Sequence, residues 1–426
     1  MHRKLKTRAS LAVSLLVLCS TAQAGELGDL LHLALEHPQV QSAAAQAGAA
    51  QAQKEAAAGR YFGSANVSAG WHEYEGQRVV GVFVPGTPGL PLASDRITQA
   101  GVAYSLPVDL FGVIAASQER AQQDLNAAQL SVRQQTLFKL HQAAGAYFTL
   151  QALLRQKDAL KPYRQRVEAT VTRVQREVEL GKAAGVDARY AESEKARLAA
   201  DEILLNSAIA QAQADLAEAS GRDKFLPASL AVQAPAWEEA APDASLPVRI
   251  AQAREAAARA QADEGRRALY PSLSLDANYF RNVGGGDYRD TWQVGGVVSL
   301  PLGVTPYRQA DAQKFAAQAA AGQSSAARRE SERQLASLRT AYDAALADMA
   351  SMEKEIAYRE QVVAVQSEMQ RLGSQTLENL FRHERDLLDA RYRQAQAQAR
   401  AALAWSSAQV VAGLDAETYI TRMDPK

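Results

Sequence analysis

The sequence has one cysteine, Cys19, and only 6% of its 426 residues are aromatic. A lone cysteine excludes any disulfide within the chain. So little aromatic mass argues against one large compact core and for long helices packed through small side chains. Charge of one sign is also lacking, with 47 basic and 47 acidic residues, so nothing favours a nucleic-acid binder. No apolar run approaches the roughly 20 residues that a membrane-spanning helix needs, which excludes a helical transmembrane protein. The six histidines, at 2, 32, 37, 72, 141 and 383, have no cysteine partner and no helical pairing, so no metal site is expected. Met349 and Met352 suit packing better than soft-metal binding. The stretch Gly284-Gly285-Gly286-Asp287 has no Gly-Lys-Ser/Thr after it and reads as an exposed loop, and no Ser-His-Asp or Cys-His context occurs. No enzyme and no cofactor are expected.

What is present begins with Arg3, Lys4, Lys6 and Arg8, an apolar run to Cys19, and then Ser-Thr-Ala-Gln-Ala. This is a secretory signal, residues 1–24, with cleavage placed after Ala24. Acylation of Cys19 is the rival reading; Leu18 before it is bulkier than lipoprotein signals prefer, which favours plain cleavage. The rest of the chain carries 47 acidic against 43 basic residues.

Two landmarks recur at nearly one offset. Tyr104-Ser105-Leu106-Pro107-Val108 returns as Val298-Ser299-Leu300-Pro301-Leu302, 194 residues on, and Glu179-Leu180-Gly181 returns as Arg371-Leu372-Gly373, 192 residues on. An internal duplication follows, with repeats 25–247 and 248–426. Each repeat holds two segments of period two. Ala65, Val67, Ala69 and Trp71, then Ala100, Val102, Tyr104 and Leu106, alternate with small or polar residues; so do Leu273, Leu275, Ala277 and Tyr279, then Trp292, Val294, Val298 and Leu300. At about 9 to 11 residues each they suit tilted membrane strands. Hairpins are expected over 61–107 and 270–302, with 73–96 as a long outer loop. Four strands cannot close a membrane barrel, whose smallest forms have about eight, so the chain must oligomerise; a homotrimer would supply twelve strands.

The remainder reads as helix. Residues 109–180 and 307–372 form two very long helices, on the order of 100 Å each at 1.5 Å per residue. Pro162 falls inside the first and is expected to kink it. Half-length helices follow over 187–221 and 377–413, and others over 26–59 and 248–269. The proline-rich stretch 222–247 is a mid-height linker, and a short tail ends the chain. Alanine triplets such as Ala43-Ala44-Ala45 and Ala256-Ala257-Ala258 allow close helix approach. The fold class is therefore mostly α with a small membrane β part. A soluble sheet in a long-helix adaptor or chaperone remains the alternative.

The order of signal, half-helix, strand pair, long helix, tight turn and half-helix, twice over, resembles the outer membrane efflux protein family, the TolC-like channels. The resemblance rests on Val178-Glu179-Leu180-Gly181-Lys182-Ala183-Ala184-Gly185-Val186-Asp187-Ala188, on Arg371-Leu372-Gly373-Ser374-Gln375-Thr376-Leu377-Glu378-Asn379-Leu380, and on Leu106-Pro107-Val108-Asp109-Leu110-Phe111-Gly112. It implies a homotrimer with a 12-stranded β-barrel in the outer membrane lipid, continued by a long α-helical barrel across the periplasm. It implies a passive conduit in a tripartite efflux or export system, receiving cargo from an inner-membrane transporter through a periplasmic adaptor.

The resemblance places adaptor docking at the turns near 181–186 and 373–376, with Gly181, Lys182, Asp187, Gly373 and Ser374. The gate falls at Gln370, Gln375, Asn379 and Arg382, where the family's best-known pattern has a tyrosine, an arginine and two aspartates. Asp187 matches that pattern, but its arginine partner is missing. A weaker and largely neutral hydrogen-bond network is therefore expected to hold this tip closed. Arg382 has two readings: three copies form a cationic ring in the lumen, or it pairs with Glu378 one turn back on the outside.

Overall fold

The computed structural model describes residues 26–81, 91–221 and 234–424. The signal segment, Cys19 and residues 222–233 of the linker lie outside the described residues. The chain runs α1 (Glu26–Leu35), α2 (Pro38–Gly59), β1 (Ser64–Val80), β2 (Leu92–Val108), α3 (Val113–Glu179) and α4 (Gly185–Ser220). It continues with α5 (Leu246–Arg267), β3 (Ser272–Gly284), β4 (Asp287–Ser299), α6 (Val304–Arg371), α7 (Leu377–Ala412) and α8 (Ala416–Met423). It is a mostly helical protein with one small antiparallel sheet. Among the described residues, no helix is long and apolar enough to cross a membrane.

The helices come in matched lengths: 22 residues in α2 and α5, 67 and 68 in α3 and α6, 36 in both α4 and α7. At 1.5 Å per residue α3 and α6 are each about 100 Å long. Toward one end α3 lies between α4 and α7, with α6 beyond α7; toward the sheet it lies between α2 and α5, with α6 beyond α5. The core along α3 is largely aliphatic and alanine, with Leu137, Leu140, Ala144 and Tyr147 of α3 against Leu216 of α4 and Ala401, Ala402 and Trp405 of α7, all fully buried. Segment 234–245 crosses this bundle: Trp405 Nε1 donates to Ala236 O at 3.0 Å, and Tyr342 Oη donates to Pro235 O at 2.8 Å.

Several expectations need correction. The strands have 17, 17, 13 and 13 residues rather than 9 to 11. The β1–β2 ladder continues through an irregularity between Glu73 and Arg78 to Val80–Leu92, so 73–80 and 92–96 are strand rather than loop, while 82–90 of that loop lie outside the described residues. Backbone pairing does not need the alternating side chains that marked the inner part. The first hairpin begins at Ser64 rather than 61, because residues 60–62 form a turn of 3₁₀ helix. Residues 26–59 break into two helices at His37–Pro38, proline taking the first helical position of α2. The tail beyond 413 is a capped helix, α8, whose Tyr419 and Met423 are fully buried. As expected, 284–287 joins two strands at the surface: Gly284 and Asp287 pair across an exposed Gly285–Gly286 turn. Also as expected, Pro162 lies inside α3, which continues past it to Glu179.

Strand order is β1-β2-β3-β4, all antiparallel. The register puts the alternation of all four strands in phase. Val67, Val102, Tyr279 and Trp292 share one rung, and Ala65, Tyr104, Ala277 and Val294 the next, on one face. The opposite face carries Asn66, Ala103, Asn278 and Gln293 on one rung and Ser68, Gly101, Phe280 and Thr291 on another. On that face Gln99 Nε2 donates to Asn282 Oδ1 at 3.0 Å, and Asn282 Nδ2 donates on to β4. The apolar face is uncovered, with Val67 79%, Trp292 76% and Val294 71% exposed. Its charged rung is self-neutralised: Arg281 donates twice to Asp290, at 2.8 and 2.9 Å.

Candidate functional site at the paired helical turns

At the end of the bundle remote from the sheet, two helical turns lie side by side. Helix α3 stops because Gly181 takes φ +69°, which lets its N–H reach Val178 O and the Lys182 N–H reach Glu177 O at 2.7 Å. Helix α6 stops in the same way at Gly373, φ +74°, with Gly373 N on Gln370 O and Ser374 N on Met369 O. These are paired glycine C-caps that satisfy the last carbonyls of each long helix. Ser374 Oγ adds a bond to Met369 O at 2.9 Å. The following helices are started differently. Thr376 caps α7 by accepting from Asn379 N, whereas α4 has no side-chain cap and carries Asp187 in its first turn, where an acid suits the helix dipole.

Between the turns is a cleft of about 530 Å³ lined by Lys182 and Asp187 from the first and by Gln370, Gly373 and Gln375 from the second. The sequence had placed these residues almost 190 positions apart; the structure brings them to one end. Gln370 is engaged by Arg173, whose Nη2 donates to its Oε1 at 2.6 Å. Arg173 also lies 3.3 Å from Glu177. Arg173 and Glu177 were missed in the sequence, where they read only as an i,i+4 pair near the end of a helix.

The other gate candidates form a chain on the start of α7. Asn379 Nδ2 donates to Gln375 Oε1 at 2.9 Å, and Arg382 Nη2 donates to Asn379 Oδ1 at 2.7 Å. Arg382 thus engages Asn379 and not Glu378, the partner considered for it. Behind this chain Tyr190 of α4 packs near Phe381, ring centroids 6.1 Å apart. Burial, then the nearby Glu194 and Glu378 carboxylates, push its phenol pKa up. The turns also expose apolar side chains: Leu180, Val186 and Leu372 are 63%, 69% and 70% exposed.

A four-stranded sheet with one apolar and one polar face, set on helices of about 100 Å that end in paired glycine turns, has the protomer fold of an outer membrane channel. The chain resembles the outer membrane efflux protein family: residues 30–222 match the family model described as Outer membrane efflux protein. Among solved structures, CusC is 15% identical with a TM-score of 0.79, covering 91% of this chain and 92% of that one. VceC from Vibrio cholerae is 18% identical with a TM-score of 0.76, over 91% and 96%. The MtrE outer membrane channel of Neisseria gonorrhoeae, in its open state, is 19% identical with a TM-score of 0.73, over 91% and 88%. At these identities the likeness is one of fold. No curated protein sequence matches the chain. The family match supports an efflux-channel role and an outer-membrane location.

Proposed function

We propose that three copies of this chain form a passive channel: a 12-stranded barrel in the outer membrane, continued by a helical tube through the periplasm. The observation that carries this is the sheet. Among the described residues nothing pairs with its two edges, β1 and β4, and open sheet edges are not tolerated in hydrocarbon. Pairing β4 of one copy with β1 of the next removes every edge and sends the polar face to a water-filled lumen. The in-phase rungs of that face, apolar except for the self-neutralised Arg281–Asp290 rung, run from Val108, Leu273 and Val298 to Trp71, Thr98, Val283 and Tyr288. That distance is about 33 Å along a strand and about 25 Å in height at a tilt of ~40°, the height of a barrel's lipid-facing band. A soluble adaptor would have no use for exposed Trp71 and Trp292 on that face.

The helices have matching free flanks. On one side α4 exposes Ile203 and Leu204; on the other α6 exposes Phe315, Tyr358 and Val365. Packing of α6 on the next copy's α4 and α2 would cover both. The paired helix lengths support the two-repeat organisation, 25–247 and 248–426, with 222–247 as the linker between half-helices.

At the far end, Gly181, Lys182, Asp187, Gly373 and Ser374 form the docking surface for a periplasmic adaptor, which links the channel to an inner-membrane transporter. Exposed Leu180 and Leu372 give that surface its apolar contact. The gate is neutral over most of its length. Arg173 to Gln370 ties the two hairpins together, and Gln375, Asn379 and Arg382 line the constriction, Arg382 contributing a ring of three positive charges. Purified protein in a planar bilayer should conduct ions. Protein that inserts but carries no current under any applied voltage would refute the channel.

A further inference from the structure

Midway between the linker and the turns, the apolar seam among α3, α4 and α7 is interrupted by a buried polar layer. Tyr163, 1% exposed, donates its hydroxyl to Glu194 Oε1 at 2.7 Å. Arg385 Nη2 lies 3.0 Å from the same oxygen and 3.6 Å from Asp201, and Arg197 lies 3.9 Å from Glu194 Oε2. Beside them Arg166 Nε donates to Glu384 Oε1 at 2.8 Å. Glu384 is 3% and Glu194 6% exposed. The layer is incompletely satisfied: Glu384 Oε2 and Arg385 Nη1 are buried with no hydrogen-bond partner among the described residues. Well-packed apolar side chains would hold these helices together at lower cost, so the layer calls for a role other than packing.

Its position suggests that role. Tyr163 follows Pro162, which has no N–H to give the Asp158 carbonyl, so α3 is weakened at this level. From here α3 continues 16 residues to Glu179, about 24 Å of helix, ending at the paired turns. We propose that the Arg166–Glu384 and Tyr163–Glu194–Arg385 contacts form a proton-sensitive clamp. The clamp pins the α3–α4 hairpin to α7 and keeps the end of the tube narrow, and its release lets α3 below Pro162 swing away. This rests on the channel reading.

The direction of the proton effect follows from burial. Glu384 bonds Arg166 and lies near Tyr163, both of α3, and α4 brings Glu194 and Asp201 to the adjacent Arg385, with Arg197 beside Glu194. Its own helix adds Arg385, Asp386 and Asp389, and α6 contributes Arg359, which lies 2.9 Å from Asp386. Burial pushes the Glu384 carboxyl pKa up, and Arg166 draws it only part of the way back. Asp389 is raised as well, by burial and then by Asp386. Release would return Glu384 to water and to its ordinary value. The clamped state therefore takes up the proton more readily. Its advantage is fully present below the ordinary carboxylate pKa and is lost as pH rises through the raised one.

The test is single-channel recording of the full mature protein from about pH 5 to pH 8, with trimer mass checked for each variant. Wild type should open more as pH rises. Glu384→Gln, which fixes the neutral form, should show at pH 8 the open fraction that wild type shows at pH 5. Tyr163→Phe, which loses a hydrogen bond and no bulk, should move the opposite way at every pH. Wild-type pH dependence retained in Glu384→Gln, or a Tyr163→Phe channel that opens less, would overturn the clamp. A second readout does not need current: nitroxides at Thr172→Cys and Ser367→Cys, both exposed below the layer, should separate as pH rises and stay together in Glu384→Gln. A silent wild type would sink the channel while leaving this distance to decide the clamp, and no pH-dependent separation would overturn it.

Discussion

At the scale of single residues, the turn glycines carry the sharpest constraint. A Cβ at Gly373 or Gly181 would meet nothing within 4 Å, so a substitution there is penalised by its positive φ alone. Gly373→Ala should lower stability by about 1 kcal/mol, with Gly373→Asn losing less, as thermal unfolding of the detergent-solubilised protein would show. Equal losses for the two would mean that the turn is not held left-handed. Arg382 offers a functional counterpart. If three copies of Arg382 ring the lumen as proposed, Arg382→Asp makes that ring anionic, and the reversal potential under a salt gradient should shift toward cation selectivity; an unchanged potential would remove Arg382 from the lumen. The glycines were legible in the sequence as helix stops, whereas Gln370, Gln375 and Asn379 were singled out there only through the family resemblance. Arg173 was not, because its partner Gln370 lies 197 positions away and only the fold joins them. The Arg166–Glu384 pair, separated by 218 positions, escaped for the same reason.

At the scale of elements, helices announced themselves better than strands. Glycine C-caps and a sustained apolar stripe mark where α3 and α6 end, so their bounds differ from the reading by only a few residues. The strands were legible only where side chains alternate. Beyond His72 the β1–β2 ladder is held by backbone bonds that have no side-chain signature, and the extra length went unseen. Helix α8 was missed because eight residues are too short to show a period, although Asp415 accepting from Glu417 N and Thr418 N is an ordinary N-cap. The alternation itself makes a paired prediction. Val294→Lys, on the apolar face, should cost about 2–4 kcal/mol and reduce recovery from the outer-membrane fraction. Gln293→Lys, one residue away on the polar face, should assemble normally and shift the channel toward anions. Equal defects in both would contradict the assignment of the two faces.

At the scale of the whole molecule, the channel reading makes the single chain incomplete. Its sheet has two open edges, and its outermost helices expose apolar side chains on both flanks. The need for partners could be read from four strands being too few for a barrel. The number three came from the family resemblance, since edge pairing by itself fixes only that the ring must close. The central claim is that closed ring, and the measurement that bears on it most directly is the mass of the mature protein extracted in detergent from the outer-membrane fraction, with the bound detergent subtracted. A mass three times that of the mature chain, found in that fraction alone, is the predicted result. A monomer or dimer released into the aqueous periplasm without detergent would contradict it.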